Sequence, residues 1–256
     1  MNRTLAFAKR NLVEMSRDTL SYIFCVVFPI VMLIVMSVVN QSIPLEAGMT
    51  IFRIDNLLGG IIVFGHTFLM LFTALTVSQD RYGSFLVRLY ASPMKSRNFT
   101  NGYILPMILI GVLQSLVSVA AALIISFIVG YDLNIGGLLL AIIAAIPSSV
   151  MFISIGLIFG TLFNRNSAPG LCSVIISLGS FIGGIWFDAE GIGGVIGKVC
   201  KCFPFIYATK SVRSVINLDL SMEAFGLPII VTSVVAIVFL ALSAILFSTK
   251  MKADLS

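Results

Sequence analysis

The few side chains in this sequence that could do chemistry begin with His66, its one histidine. It lies within a long apolar run, where an ionisable group is a functional candidate by default. A proton relay needs a partner, and no acidic residue falls inside any apolar run as bounded below. His66 is therefore expected to be neutral and hydrogen-bonded to a neighbouring helix. Cys200-x-Cys202 offers two thiols, half a zinc site at most. With Cys25 and Cys172 set in separate apolar runs there is no disulfide framework, and free thiols near the surface are the expectation. A loop that cradles phosphate needs Gly-x(4)-Gly-Lys-Ser/Thr. Gly197–Lys198 comes nearest, but Ile192 stands where the first glycine belongs and Val199 where the hydroxyl belongs. The chain is expected to bind no nucleotide itself. An intramembrane enzyme would need a carboxylate pair, a Ser–His dyad or a metal cluster at depth, and one isolated histidine is none of these.

The elements that hold these residues follow from composition. Hydrophobic residues make up 59% of the 256 and charged residues 11%, against roughly 25% charged in a soluble domain. Too few polar side chains exist to coat a soluble core, so the fold class is an all-α membrane protein. The net charge of +5 suggests no nucleic-acid partner, because the basic residues form no patch interleaved with aromatics. They sit between apolar runs, where they control topology and meet anionic lipid.

A crossing helix takes roughly 20 apolar residues at about 1.5 Å each. Six runs qualify, near Leu20–Val39, Asn56–Val77, Gly102–Val129, Gly137–Phe163, Gly170–Phe187 and Gly226–Phe247, the third and fourth long enough to tilt or protrude. Continuous rather than alternating apolar character favours helices over a barrel. The chain reads as a single domain: an interfacial stretch at residues 1–19, a bundle at 20–247 and a tail at 248–256. With the N-terminus inside, eleven Lys and Arg fall on the cytoplasmic side and five outside, which places both termini in the cytoplasm. Pro29, Pro106 and Pro147 interrupt the first, third and fourth runs. They either open a path or bend helices whose freed carbonyls find other donors. Gly156/Gly160 and Gly179/Gly183 have the spacing that lets helices approach closely.

Three further segments carry information. Before the first span, Leu5, Ala8, Leu12 and Met15 share one helical face while Arg3, Arg10 and Arg17 repeat every seven residues on another. That phasing favours an interfacial amphipathic helix over a plain basic flank. Between the second and third spans, Phe85, Leu86, Leu89 and Tyr90 face one way and Arg81, Ser84 and Arg88 the other, until Ser92–Pro93 stops the helix. A loop that only connects needs no such helix; this one reads as a surface that presses on another protein. Between the fifth and sixth spans, Asp188–Phe225 is apolar for a loop and broken by Gly193, Gly194, Gly197 and Pro204. From Pro204 onward Phe205, Ala208, Val212, Val215 and Ile216 share a face opposite Lys210, Arg213 and Asn217. This reads as an extracellular re-entrant hairpin followed by an interfacial helix, with Val212 toward lipid, Ile206 nearer water and the outer lysines at headgroup level; the alternative is an irregular loop.

The run Asp80-Arg-x-Gly83-x(4)-Arg88-Leu89-x-x-Ser92-Pro93 resembles the type-2 ABC exporter permeases, and with the layout of helices the resemblance covers the whole chain. Many members of that family have Glu where this chain has Asp80, and a charged residue where it has Tyr82. The resemblance implies a plasma-membrane permease subunit that pairs with a second permease copy or paralogue and with two ATPase subunits, which carry the ATP and Mg. Its coupling helix would include Asp80, Arg81, Gly83, Phe85, Arg88, Leu89, Ser92 and Pro93, and its outer gate Gly193, Gly194, Pro204 and Val212. With no charge buried in the spans, the expected cargo is a hydrophobic or amphipathic compound, drug-like or lipid-like. Export of lipid or polysaccharide is the alternative, and an intramembrane enzyme or secondary transporter a more distant one. Secondary transporters normally show charge within their spans and internal repeats, and neither is seen.

Overall fold

Within hydrocarbon no water is present to pair with backbone amides, so each apolar run closes its hydrogen bonds internally as a helix. The computed structural model describes residues 3–44, 50–83, 95–187 and 193–253, and all the regular structure among them is helical. Helix α1 (Arg3–Met15) leads into α2 (Thr19–Ser42). Then come α3 (Ile54–Tyr82), α4 (Ser96–Val129), α5 (Ile135–Leu162) and the shorter α6 (Ser167–Ile182). Two short helices, α7 (Gly194–Lys201) and α8 (Pro204–Ile216), precede α9 (Met222–Lys250).

Five of these helices, α2 to α5 and α9, are long and apolar enough to cross a membrane. The run read from sequence as a fifth span, Gly170–Phe187, holds a shorter apolar helix. Its helix α6 has 16 residues, or about 24 Å against a core of about 30 Å. It stops because the chain turns at Gly183–Gly184, where Gly184 has φ +64°, a conformation costly for a residue with a Cβ.

The central helix is α3, 83% buried over its apolar window, against 17% for α2 and α9. It crosses α5 where Gly156 and Gly160 of α5 let the carbonyls of Met70 and Ala74 approach. That close-approach motif is therefore an intramolecular crossing. Gly179 of α6, by contrast, leaves room for ordinary contact with Phe205, while a Cβ at Gly183, just past the helix, would meet the Gly179 carbonyl at 2.6 Å.

Two of the prolines follow locally widened turns. Pro29 and Pro228 each follow a π-turn, at Ile23–Val27 and Met222–Gly226, as expected where a residue lacks the N–H for the i−4 carbonyl. Pro147 accompanies the break in α5 at Ala145, where Ser148 and Ser149 hydroxyls bond the carbonyls of Ala145 and Ile146. At mid-bundle Ser148 Oγ also lies 2.6 Å from His66 Nδ1. The histidine is buried and hydrogen-bonded between helices, in the manner its isolation suggests.

Candidate functional site

The amphipathic segment at residues 84–94, and with it Phe85, Arg88, Leu89, Ser92 and Pro93, lies outside the described residues. Its root at the end of α3 is described. Gly83 closes α3 in an extended conformation with its N–H on the Gln79 carbonyl at 2.9 Å. The two residues at the head of the motif, Asp80 and Arg81, point to different neighbours.

Asp80 is buried and receives both guanidinium nitrogens of Arg10 from α1, at 2.7 and 3.0 Å, and the Tyr103 hydroxyl of α4 at 2.9 Å. Such a two-pronged guanidinium–carboxylate pair is strong and directional. Arg10 also meets Glu14 at 2.8 Å and Asn11 at 2.9 Å. Burial works against the Arg10 charge, but the hydrogen bond and charge of Asp80 outweigh it and raise its pKa above the ordinary arginine value. Burial raises the Glu14 pKa, against the pull of Arg10 and with the repulsion of Asp80.

Arg81 turns to α5 and donates to the carbonyls of Gly160 and Thr161. These belong to the last turn of that helix, where carbonyls lack intrahelical donors and the dipole favours a cation. Beside this root, Phe7 of α1 meets Phe99 and Tyr103 edge-on at 5.5 and 5.0 Å. Phe247 near the end of α9 packs on the same two rings at 6.5 and 6.1 Å. Two adjacent residues near the end of α3 thus fasten it to α1, α4 and α5.

The sequence matches the family model of the ABC-2 type transporter over residues 2–217. The chain belongs to that family. No match was found among curated proteins. This ABC-2 permease is a multi-pass membrane subunit, and its family implies an ABC ATPase subunit as partner.

Other predicted features of the permease sit differently from their sequence reading. In α1 the buried face is Phe7, Ala8, Asn11 and Met15, while Leu5 is exposed. The helix is rotated from the purely apolar stripe because Asn11 has a bond to make inside. Val212, expected to face lipid, is fully buried in the core with Ala208 and Ile216. Ile206, expected nearer water, is buried beside Cys200. The reason is that α8 packs on protein along both faces. At Gly137 the α8 carbonyls of Val215 and Ile216 come so close that a Cβ would sit 2.8 and 2.5 Å away. On the other side, Gly59 admits the Arg213 backbone.

Arg213 likewise turns its guanidinium onto protein carbonyls. It donates to the carbonyls of Asn56 at 2.8 Å, Gly184 at 2.9 Å and Ile185 at 3.4 Å, fastening α8 to α3 and to the turn after α6. Lys210, Arg213 and Asn217 line a polar pocket of about 270 Å³ at this end. Gly193 and Gly194, at φ +62° and +57°, start α7, and Pro204 occupies the first turn of α8. Cys200 is buried and Cys202 exposed, both as free thiols. Among the described residues no cluster of His, Cys, Asp or Glu could hold a metal.

Sequence reasoning passed over Arg10, Asn11, Tyr103 and Arg213 as structural partners. Their signal was indirect: a proline four residues past Gly102, and a helix-breaking Gly183–Gly184 pair whose carbonyls need donors.

Proposed function

We propose that this chain is the transmembrane subunit of an ATP-driven exporter that moves a hydrophobic or amphipathic compound outward across the plasma membrane. It works paired with a second permease copy or paralogue and with two ATPase subunits that bind ATP and Mg. In this reading the segment from Asp80 to Pro93 is the coupling element seated on an ATPase, and both termini are cytoplasmic. The observation that carries it is the anchoring of Asp80 to Arg10 and Tyr103 and of Arg81 to the α5 carbonyls. A connecting loop needs no such roots; a lever that passes a rigid-body motion from ATPase to helices does. Six crossings gain support from Phe247 and α1 sharing the Asp80 end, because an even number of passes returns the chain to the side where it began. The outer gate is then α7 and α8 with Gly193, Gly194, Pro204 and Val212.

The test is reconstitution with the partner ATPase in vesicles, reading ATP hydrolysis and dye efflux together. Arg81→Ala is expected to keep the ATPase bound while transport falls roughly tenfold, the weight of one charge-assisted contact. Arg88→Glu is expected to release the ATPase. Normal transport in both variants would rule out the coupling assignment, and transport of a lipid or glycan alone would redirect the cargo.

A further inference from the structure

Gln114 of α4 lies against Gly65 of α3, and its amide fills the space that a Cβ at Gly65 would take. Both amide atoms, Nε2 and Oε1, are buried without a hydrogen-bond partner. A primary amide offers two donors and an acceptor, and leaving them unmet in an apolar setting is costly. The polar neighbours do not help: Ser16 donates to the Val13 carbonyl and Ser21 to Asp18.

Gln114 also lines a cleft of about 160 Å³ whose other walls include Met15, Tyr22, Cys25, Leu113 and Val117, so that it lies between α1, α2 and α4. Tyr22 and Leu113 are half exposed on its rim, so it opens on the flank of the bundle, where a membrane protein meets lipid. An apolar cavity near this size accepts a benzene-sized body. The cleft therefore suits one ring or a short stretch of chain; the amide is packed behind its wall against Gly65, and a rotation of the glutamine stem would carry it to an occupant.

Depth decides which occupant. Gly65 is 15 residues from Asp80 on one continuous helix, about 22 Å along its axis, which brings Gln114 near the middle of the bilayer. Phospholipids carry their polar groups at the surface and only hydrocarbon at that depth. We infer that the cleft binds a membrane-dissolved amphipath that carries an amide or hydroxyl within an apolar body, with that group paired to Gln114. This goes beyond the export reading, since it concerns where a ligand rests, and its test reads binding alone.

The experiment uses the full chain in vesicles of phosphatidylethanolamine and phosphatidylglycerol, with two photoreactive probes of equal length. One probe has a secondary amide at mid-chain and the other is plain alkyl; adducts are mapped by peptide mass spectrometry. The amide probe is expected to label residues 12–26 and 110–117 in preference to the alkyl probe. Gln114→Leu is expected to lower amide-probe labelling roughly fivefold to tenfold, the size of one or two hydrogen bonds, and to leave the alkyl probe unchanged. It should melt no lower than the parent, since it removes an unpaired buried amide, so lost labelling is not lost folding. Val117→Trp, which fills the cleft, should lower both probes. Equal labelling by the two probes, unaffected by Gln114→Leu, would mean the cleft holds lipid chains only, and labelling confined elsewhere would mean it holds nothing; either overturns the inference.

Discussion

The Asn11 side-chain amide donates to the Gly102 carbonyl at 3.0 Å, and that carbonyl is the one left without a donor by Pro106 four residues on. Helix α4 runs unbroken through Pro106, so the defect that a proline makes in a helix has become the docking point for another. The absent Cβ of Gly102 adds to this, since the Phe7 ring occupies its place. A buried Asn on an amphipathic helix is otherwise hard to account for; here it completes a backbone ladder and sets the rotation of α1.

A double-mutant cycle tests this relationship. Asn11→Ala orphans a buried carbonyl and is expected to cost about 1–3 kcal/mol. In a Pro106→Ala background the new backbone N–H serves Gly102 directly, and the same Asn11→Ala change should cost less, a coupling of about 1 kcal/mol. Thermal unfolding in detergent gives the four values. Strict additivity would show that the two residues do not share the carbonyl.

The Arg10–Asp80 pair predicts an asymmetry. The Asp80 side chain is 7% exposed and that of Arg10 34%. Removing Arg10 strands a buried carboxylate, whereas removing the Asp80 charge leaves a guanidinium that water and Glu14 can reach. Arg10→Met is expected to cost about 3 kcal/mol or more and Asp80→Asn, which keeps the Tyr103 contact, clearly less. The order of melting temperatures checks it, and a reversed order would place the desolvation on the wrong partner.

How much of this was legible in the sequence divides along physical lines. Continuous apolar runs force helices, so α2 to α5 and α9 were readable from length alone. The crossing glycines Gly156 and Gly160 were readable as a spacing, though not as to which helix they met. Periodicity misled at α8, because an apolar stripe facing lipid and one facing protein are equally apolar. Val212 has the same pattern either way, and only the glycines opposite it, Gly59 and Gly137, distinguish the two. The length of α6 was hidden for a similar reason: residues 183–187 are as apolar as a helix, and the positive φ at Gly184 ends it. At the candidate site, the Asp80–Arg81 motif marked the place but not the partners, since Arg10 and Tyr103 come from distant sequence.

The end of α8 offers a stabilising change. Leu218 has φ +55°, and its N–H reaches the Val215 carbonyl while the Asp219 N–H reaches that of Ser214. This is a Schellman cap with leucine where glycine is usual. Leu218 is 44% exposed and contributes little packing. Leu218→Gly is expected to raise stability by about 1 kcal/mol, read as an upward shift of the melting temperature. No gain, or a loss, would mean the leucine packs more tightly than its exposure indicates.

The Arg213 clamp predicts a ranking among neighbouring glycines. Its guanidinium spans two elements at once, with Nε on Asn56 and Nη1 on Gly184. A lysine carries a single compact charge and cannot reach both sets of carbonyls. Arg213→Lys is therefore expected to cost about 1–3 kcal/mol and to loosen the turn after α6, read as faster hydrogen exchange at residues 183–187. The backbone around the clamp is stricter than its tip. A Cβ at Gly59 would lie 3.0 and 3.1 Å from Arg213 N and Cα, which cannot move without shifting α8 off α3. A Cβ at Gly60 would meet Arg213 Nη2 at 2.9 Å, the end of a long side chain that can swing aside. Gly59→Ala is thus expected to be the more destabilising of the two, by about 1–3 kcal/mol through overpacking, and Gly60→Ala the milder, with its loss confined to the Ile185 contact. Equal melting temperatures for the two variants would place the rigidity of this joint in the guanidinium contacts rather than in the backbone approach of α8 to α3.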